Sequence, residues 1–335
     1  MKPVIFGLSG LSVTADEAAF FRDADPAGYI LFGRNVADVA QVRALTDALR
    51  TLHGRDDLLV MIDQEGGRVA RMRPPIWPAF PPGSAFDALY EKAPITAIEA
   101  ARANAQAIAT TLRECGITVD ALPLLDVRQP QASDIMGDRT LGSEPMRVAA
   151  LGRAVLDGLK RGGVTGIVKH MPGHGRAMVD SHHQLPTIEV DDAALEIDIE
   201  PFKTLNWAPI GMTAHIVYTA WDAKLPASLS PTVIQTIIRD RIGFGGLLIS
   251  DDLDMKALSG SVPERASAVV AAGCDLALNC WARMDEMVEI TAILPEITPR
   301  ARERLDAAMA YAAQPLDDAP LDALLARRDE LLAFA

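Results

Sequence analysis

The sequence is short of cysteine, of basic residues and of long apolar runs, and each shortage removes a class of protein. Three cysteines, Cys115, Cys274 and Cys280, are too few and too irregularly spaced for a disulfide framework or a zinc clip. Small buried thiols in a reducing compartment are the expectation. Lysine and arginine number 32 against 45 acids, a formal net charge of −13, with an isoelectric point near 4.9. Such a surface repels phosphate backbones and anionic lipid, which argues against nucleic acid or a membrane as partner. No apolar run approaches the roughly 20 residues needed to span a bilayer; those at 58–62 and 247–249 are strand-sized. The amino terminus imitates the apolar core of a secretion signal. However, Gly7, Ser9, Gly10 and Ser12 interrupt it, Lys2 is its one basic residue, and Asp16 and Glu17 follow at once. Residues 4–8 therefore read as a strand of the mature fold, in a cytoplasmic protein. Neither a Gly-x-Gly-x-x-Gly turn nor a phosphate loop is present, so no nucleotide is supported and no cofactor is expected.

What is there is a chain of 335 residues, 49% hydrophobic and 23% charged, enough for two average domains or one large barrel. Short apolar runs alternate with longer amphipathic stretches. Strands are expected at 4–8, 28–32, 58–62, 119–124, 166–168, 210–213, 247–249 and 274–278, each largely apolar, as strands buried on both faces are. Helices are expected at 36–52, where Val39, Val42, Leu45, Leu49 and Leu52 recur at three- and four-residue steps. Others are expected at 145–159, 264–272 and 232–241, the last opened by Ser230-Pro231 as cap and first-turn proline. Eight strands with intervening helices suggest an α/β fold of the TIM type, a (β/α)8 barrel, with a doubly wound open sheet as the alternative. Polar chemistry decides between them. Arg34-Asn35, Asp63-Gln64-Glu65, Asp126, Lys169-His170, His215 and Asp251-Asp252 each follow an expected strand closely. Six of eight strands would thus point at one rim, as the loops around a barrel's mouth do. One barrel domain spanning 1–335 is expected, with 297–335 as helices packing around its outside.

Three segments carry the chemistry. The densest runs from Lys169-His-Met-Pro-Gly-His-Gly175 to Asp180-Ser-His-His183 and holds four of the six histidines. Glycine and proline make it a loop after a strand. It can serve acid–base work, or bind metal if His170, His174, Asp180 and His182 converge. The second, Ser250-Asp-Asp-Leu253, brings a carboxylate out of a buried strand, as a nucleophile or electrostatic stabiliser requires; Ser250 or Asp251 as a helix cap is the structural alternative. In the third, Asp63-Gln-Glu-Gly-Gly-Arg68 with Arg71, paired glycines allow close backbone approach, and carboxylates and arginines can bind hydroxyls or each other.

Together with Ile30-Leu-Phe-Gly-Arg-Asn35, Gly137-Asp-Arg139 and Met212-Thr-Ala-His215, these segments resemble glycoside hydrolase family 3, and within it the single-domain bacterial β-N-acetylglucosaminidases. The resemblance covers about residues 28–279. It implies a retaining exo-glycosidase that removes terminal β-linked N-acetylglucosamine, with N-acetylglucosaminyl-anhydromuramoyl peptides of cell-wall recycling as substrate. By the same resemblance Asp251 is the nucleophile, His182 the acid/base and Asp180 its orienting carboxylate. Asp63, Arg71, Arg139, Lys169 and His170 fall where the family grips the sugar. Two residues apart on one loop, a carboxylate can hydrogen-bond a histidine ring, fixing its tautomer and raising its pKa. Met171, Leu141 and Asp254 depart from the family's usual residues and bear on fine specificity. Three other readings stand beside this one: a phosphorylase using the same glycosyl-enzyme, a metal-dependent hydrolase, and a silent sugar-binding barrel.

Overall fold

The computed structural model describes residues 1–130, 136–179, 184–313, 317 and 319–334. Eight strands form a closed barrel: β1 (Lys2–Gly7), β2 (Pro26–Leu31), β3 (Leu59–Ile62), β4 (Val119–Asp120), β5 (Thr165–Met171), β6 (Ile210–Thr213), β7 (Leu247–Asp252) and β8 (Leu276–Asn279). Each pairs in parallel with its neighbours in sequence, and β8 closes on β1. This is the TIM-type architecture the apolar runs predicted. Alternation along the strands builds two cores. Ile5, Ile30, Met61, Ile167, Met212, Ile249 and Leu278 fill the barrel, while Phe6, Leu31, Val60, Val168 and Leu248 face the surrounding helices.

The helices begin where local chemistry starts them. Helix α1 (Ala15–Ala24) opens on a capping box of Thr14 and Glu17. In α2 (Val39–His53) the Asp38 carboxylate accepts from the Gln41 N–H, a cap worth about 1 kcal/mol. Helices α3 (Gly83–Lys92), α4 (Pro94–Glu114), α5 (Pro145–Arg161) and α6 (Glu196–Thr204) follow, then α7 (Val262–Ala272), α8 (Met284–Ile293), α9 (Pro299–Ala310) and α10 (Leu321–Leu332). Residues Val233–Arg241 coil with π-type hydrogen bonding rather than as the expected α-helix, although Ser230 caps them by accepting from the Val233 N–H.

The C-terminal helices divide their work, and only part of it lies outside the barrel. Leu305, Ala308 and Met309 of α9 join the interior cluster, and the Thr165 hydroxyl, at the start of β5, donates to Ala308 O at 3.1 Å. Helix α9 therefore closes the barrel's lower end, whereas α10 lies against α4. The three cysteines are buried and unpaired with one another, as expected. Residues 4–8 largely form β1. Among the described residues no helix is long and apolar enough to cross a membrane.

Candidate active site

Strand regularity fails at the two places where chemistry is concentrated. Between β5 and β6 the pairing moves from Val168↔Gly211 to Met171↔Thr213, so Lys169 and His170 occupy a bulge. Between β7 and β8 it moves from Ile249↔Leu276 to Asp252↔Leu278, placing Ser250 and Asp251 in another. A bulge re-aims side chains that regular alternation would send elsewhere. Ser250 accepts from the Leu278 N–H at 3.0 Å and pins the second bulge to its neighbour. The next helix starts at Val262, so neither Ser250 nor Asp251 caps a helix.

The third segment folds back as a hairpin, Gln64–Gly66 against Val69–Ala70. Gln64 staples it: its amide donates to Met72 O at 2.8 Å and accepts from the Arg71 and Met72 N–H groups. Gly66 needs to be glycine, with φ at 99° and a Cβ position 2.3 Å from Pro81 O. The hairpin thereby presents Asp63, Glu65 and Arg71 to one cavity.

That cavity, of about 470 Å³, lies at the C-terminal end of the barrel. Asp63, Arg71, Arg139, Lys169, His170 and Asp251 all line it, together with Glu65, His174, Phe32, Met212 and Asp252. Six of the eight expected site residues therefore meet in one place. The other two, Asp180 and His182, lie outside the described residues.

Glu65 is the organising carboxylate. Arg139 grips it with two hydrogen bonds, 2.8 and 2.7 Å, and Lys169 Nζ sits 2.7 Å from it and 3.5 Å from Asp63. Arg71 donates to Asp63 at 2.8 Å. Burial alone would raise the Glu65 pKa, but the Lys169 and Arg139 charges and hydrogen bonds hold it well below the carboxylate range. Burial opposes the Lys169 charge, and Glu65 and Asp63 outweigh burial, so its pKa is raised. Lys169 and Arg139 thus remain cationic with their donors fixed against Glu65.

His170 is oriented from behind. Its Nδ1 donates to Asp126 at 2.8 Å, and Asp126 also accepts from the His170 and His174 backbone N–H groups. Asp126 is fully buried, which raises its pKa, yet the His170 charge and these hydrogen bonds bring it below normal. The pairing fixes the tautomer and turns Nε2 away from Asp126. His174 packs edge-on to His170, centroids 5.5 Å apart, and burial lowers its pKa to about 4, so it is neutral near pH 7. Asp252 and Asp120 go the other way: burial lifts both to about 7, aided in Asp252 by the Asp254 and Asp251 charges. His215 is structural, bridging the Ser228 hydroxyl and Asp252 O.

Reading from the sequence singled out Asp63 but not Glu65, although the two stand two residues apart and so on one side of an extended chain. It noted Asp126 only as a strand-end carboxylate. Among the described residues no three His, Cys, Asp or Glu side chains converge as a bound metal ion would require.

A closed parallel barrel with carboxylates, cations and an oriented histidine around one mouth defines a barrel enzyme whose reacting groups ride on strand ends. Comparison with known proteins narrows this. The family described as "Glycosyl hydrolase family 3 N terminal domain" matches residues 7–310. A protein named Beta-hexosaminidase from Alkalilimnicola ehrlichii is 38% identical over 285 residues, 84% of this chain and 81% of the relative. Another of that name, from Aromatoleum aromaticum, is 35% identical over 313 residues, 92% and 87% of the two chains. The crystal structure of NagZ from Neisseria gonorrhoeae in complex with N-trifluoroacetyl-D-glucosamine superposes with a TM-score of 0.88 at 30% identity, covering 100% of this chain and 98% of that one. The chain belongs to glycosyl hydrolase family 3, and it is a glycosidase.

Proposed function

We propose that the protein is a retaining exo-β-N-acetylglucosaminidase that releases terminal N-acetylglucosamine from muropeptide fragments in the cytoplasm, working as one catalytic barrel. The single observation that carries the sugar chemistry is the shared cavity. Asp251, on its bulge, faces the same space as the Asp63–Arg71 and Glu65–Arg139–Lys169 pairs. The relatives named Beta-hexosaminidase support the hexosamine as glycone, as does the gonococcal structure, a complex with N-trifluoroacetyl-D-glucosamine.

In this reading the terminal sugar enters first and lies against Lys169, Arg139, Arg71 and Asp63. The Asp251 carboxylate attacks the anomeric carbon. The glycosidic bond breaks as His182 delivers a proton to the leaving oxygen, giving a glycosyl-aspartate and a free aglycone. Water, deprotonated by His182, then attacks the same carbon and restores the carboxylate, so two inversions give net retention. Asp180 stabilises the imidazolium that is present before the first step and forms again as water is deprotonated in the second. Lys169 and Arg139, already charge-matched by Glu65, hold the sugar without reorganising.

Product analysis by proton NMR with an N-acetylglucosaminyl-anhydromuramoyl peptide tests the reading. The expected product is β-N-acetylglucosamine, formed at the same rate with and without inorganic phosphate. The α-anomer refutes retention. Phosphate-stimulated turnover to a sugar phosphate shows the phosphorylase instead, and no cleavage overturns the assignment.

A further inference from the structure

The cavity's polar groups cluster on the β3, β5 and β7 strand ends, while the opposite arc, β8–β1–β2, carries something different. Phe32 and Cys280 line the cavity at the ends of β2 and β8. One or two residues further along the same chains stand Arg34 and Trp281. Trp281 is 57% exposed, more than Trp207, the other exposed tryptophan among the described residues, and its indole N–H has no partner among the described residues. The following residue, Ala282, is a non-glycine held at φ 53°, a conformation that persists only where the surroundings impose it and that concentrates at functional positions.

Arg34 links this ring to the cavity. Its guanidinium lies 4.9 Å from the Phe32 centroid and 6.0 Å from that of Trp281, and Arg71 covers Phe32 at 5.2 Å. A ladder of Trp281, Arg34, Phe32 and Arg71 thus runs from the rim to the Asp63 pair. Arg34 is fixed in it by backbone: Nε donates to Leu8 O at 2.7 Å and Nη2 to Cys280 O. Gly7 leaves the room, since a Cβ there would sit 2.8 Å from Arg34 Nη2. Arg34 forms no ion pair among the described residues, whereas Arg71, Arg139 and Lys169 all have carboxylates. Its Nη1 makes no hydrogen bond among them. A half-buried guanidinium satisfied by carbonyls alone keeps a charge to offer.

We infer that Trp281 and Arg34 form a leaving-group subsite that takes an aglycone with a ring or apolar face and a carboxylate. The inference rests on the exo-glycosidase reading: a terminal sugar seated against Glu65 and Lys169, both deep in the cavity, leaves the rest of the substrate at the rim. The indole covers the aglycone's apolar face, and Arg34 Nη1 takes its carboxylate.

The test compares the parent enzyme with Trp281→Ala and Trp281→Phe. The substrate is an N-acetylglucosaminyl disaccharide whose second sugar bears a lactyl-peptide carboxylate, alongside its counterpart with the carboxylates amidated. The alanine variant is expected to lose about tenfold in kcat/KM on the acidic substrate, mainly through KM. Phenylalanine should stay within about threefold of the parent, because a ring face remains. Inhibition by free N-acetylglucosamine, which has no aglycone, should be unchanged. The parent should prefer the acid to its amide by about tenfold, as a charge-assisted contact requires.

Three results overturn the subsite while leaving the glycosidase reading intact: an alanine variant equal to the parent on the acidic substrate, equal turnover of acid and amide, or a matching loss of N-acetylglucosamine inhibition. A parent enzyme that cleaves neither substrate overturns the proposed exo-β-N-acetylglucosaminidase reading, and the subsite with it.

Discussion

Replacing Glu65 with glutamine keeps the shape of the cavity and removes the charge that Lys169 and Arg139 share. Both Glu65 and Lys169 are buried, with side chains 3% exposed, and their pair is 2.7 Å long. Stranding buried cations costs about 3–5 kcal/mol. The glutamine carbonyl still accepts a hydrogen bond, and Asp63 lies 3.5 Å from Lys169 Nζ, so the lower end, about 3 kcal/mol, is expected. A chain of 335 residues unfolds with an entropy of about 0.7 kcal/mol per kelvin, which makes this a fall in Tm of about 4 °C. The pH dependence has a fixed sign. The Glu65 pKa is depressed in the folded state from an ordinary value of 4.5, so its contribution is complete above about pH 4.5 and is lost as the pH falls towards the folded value. Scanning calorimetry of both proteins should therefore show a constant gap from pH 8 to about 5.5, narrowing below about 4.5. A glutamine variant melting within 1 °C of the parent at pH 7, or a gap that widens in acid, would refute the central place given to Glu65.

Two further outcomes follow from the site and its proposed chemistry. His182→Ala should lower turnover of a natural disaccharide by about 10²–10⁴-fold while costing far less with an aryl N-acetylglucosaminide whose phenol leaves unaided; equal losses on both would remove His182 as the acid. Because Asp63 and Glu65 are already matched by Arg71, Lys169 and Arg139, exhaustive chelation should leave activity unchanged. Loss of activity that added zinc restores would favour the metal-dependent reading.

The barrel was legible because strands buried on both faces are nearly continuous apolar runs, and such runs at 58–62 and 247–249 need no partner to be seen. The fourth strand was less so. Apolar character continues to Leu124, yet regular pairing stops at Asp120. Beyond it the carbonyls of Leu122 and Pro123 still accept from Ile167 and Lys169, an irregular continuation that hydrophobicity cannot distinguish from a strand. The π-type coil at Val233–Arg241 shares its periodicity too closely with an α-helix to be separated by pattern. At its other end, Ala308 and Met309 of α9 look like any helix face, and only the closed barrel shows that they plug it.

In the site, Asp251, Lys169 and His170 were visible because charge beside an apolar run is conspicuous. That they project from bulges was not visible, since a bulge is a property of two strands in register and no single segment records it. Asp126 was likewise hidden as the partner of His170: 44 residues separate them, and only the adjacency of β4 and β5 brings them together. Glu65 could have been found from its two-residue spacing to Asp63.

The most direct test of the central claim is the fate of the Asp251 carboxylate during turnover. Brief reaction with a fluorinated N-acetylglucosaminyl fluoride that slows the second step, followed by intact-mass and peptide mass spectrometry, should show one sugar residue added per chain. The label should map to Asp251, and Asp251→Ala should give neither label nor turnover. A label on another residue, or an unlabelled Asp251→Ala protein that still hydrolyses an aryl N-acetylglucosaminide at near the parent rate, would contradict the account.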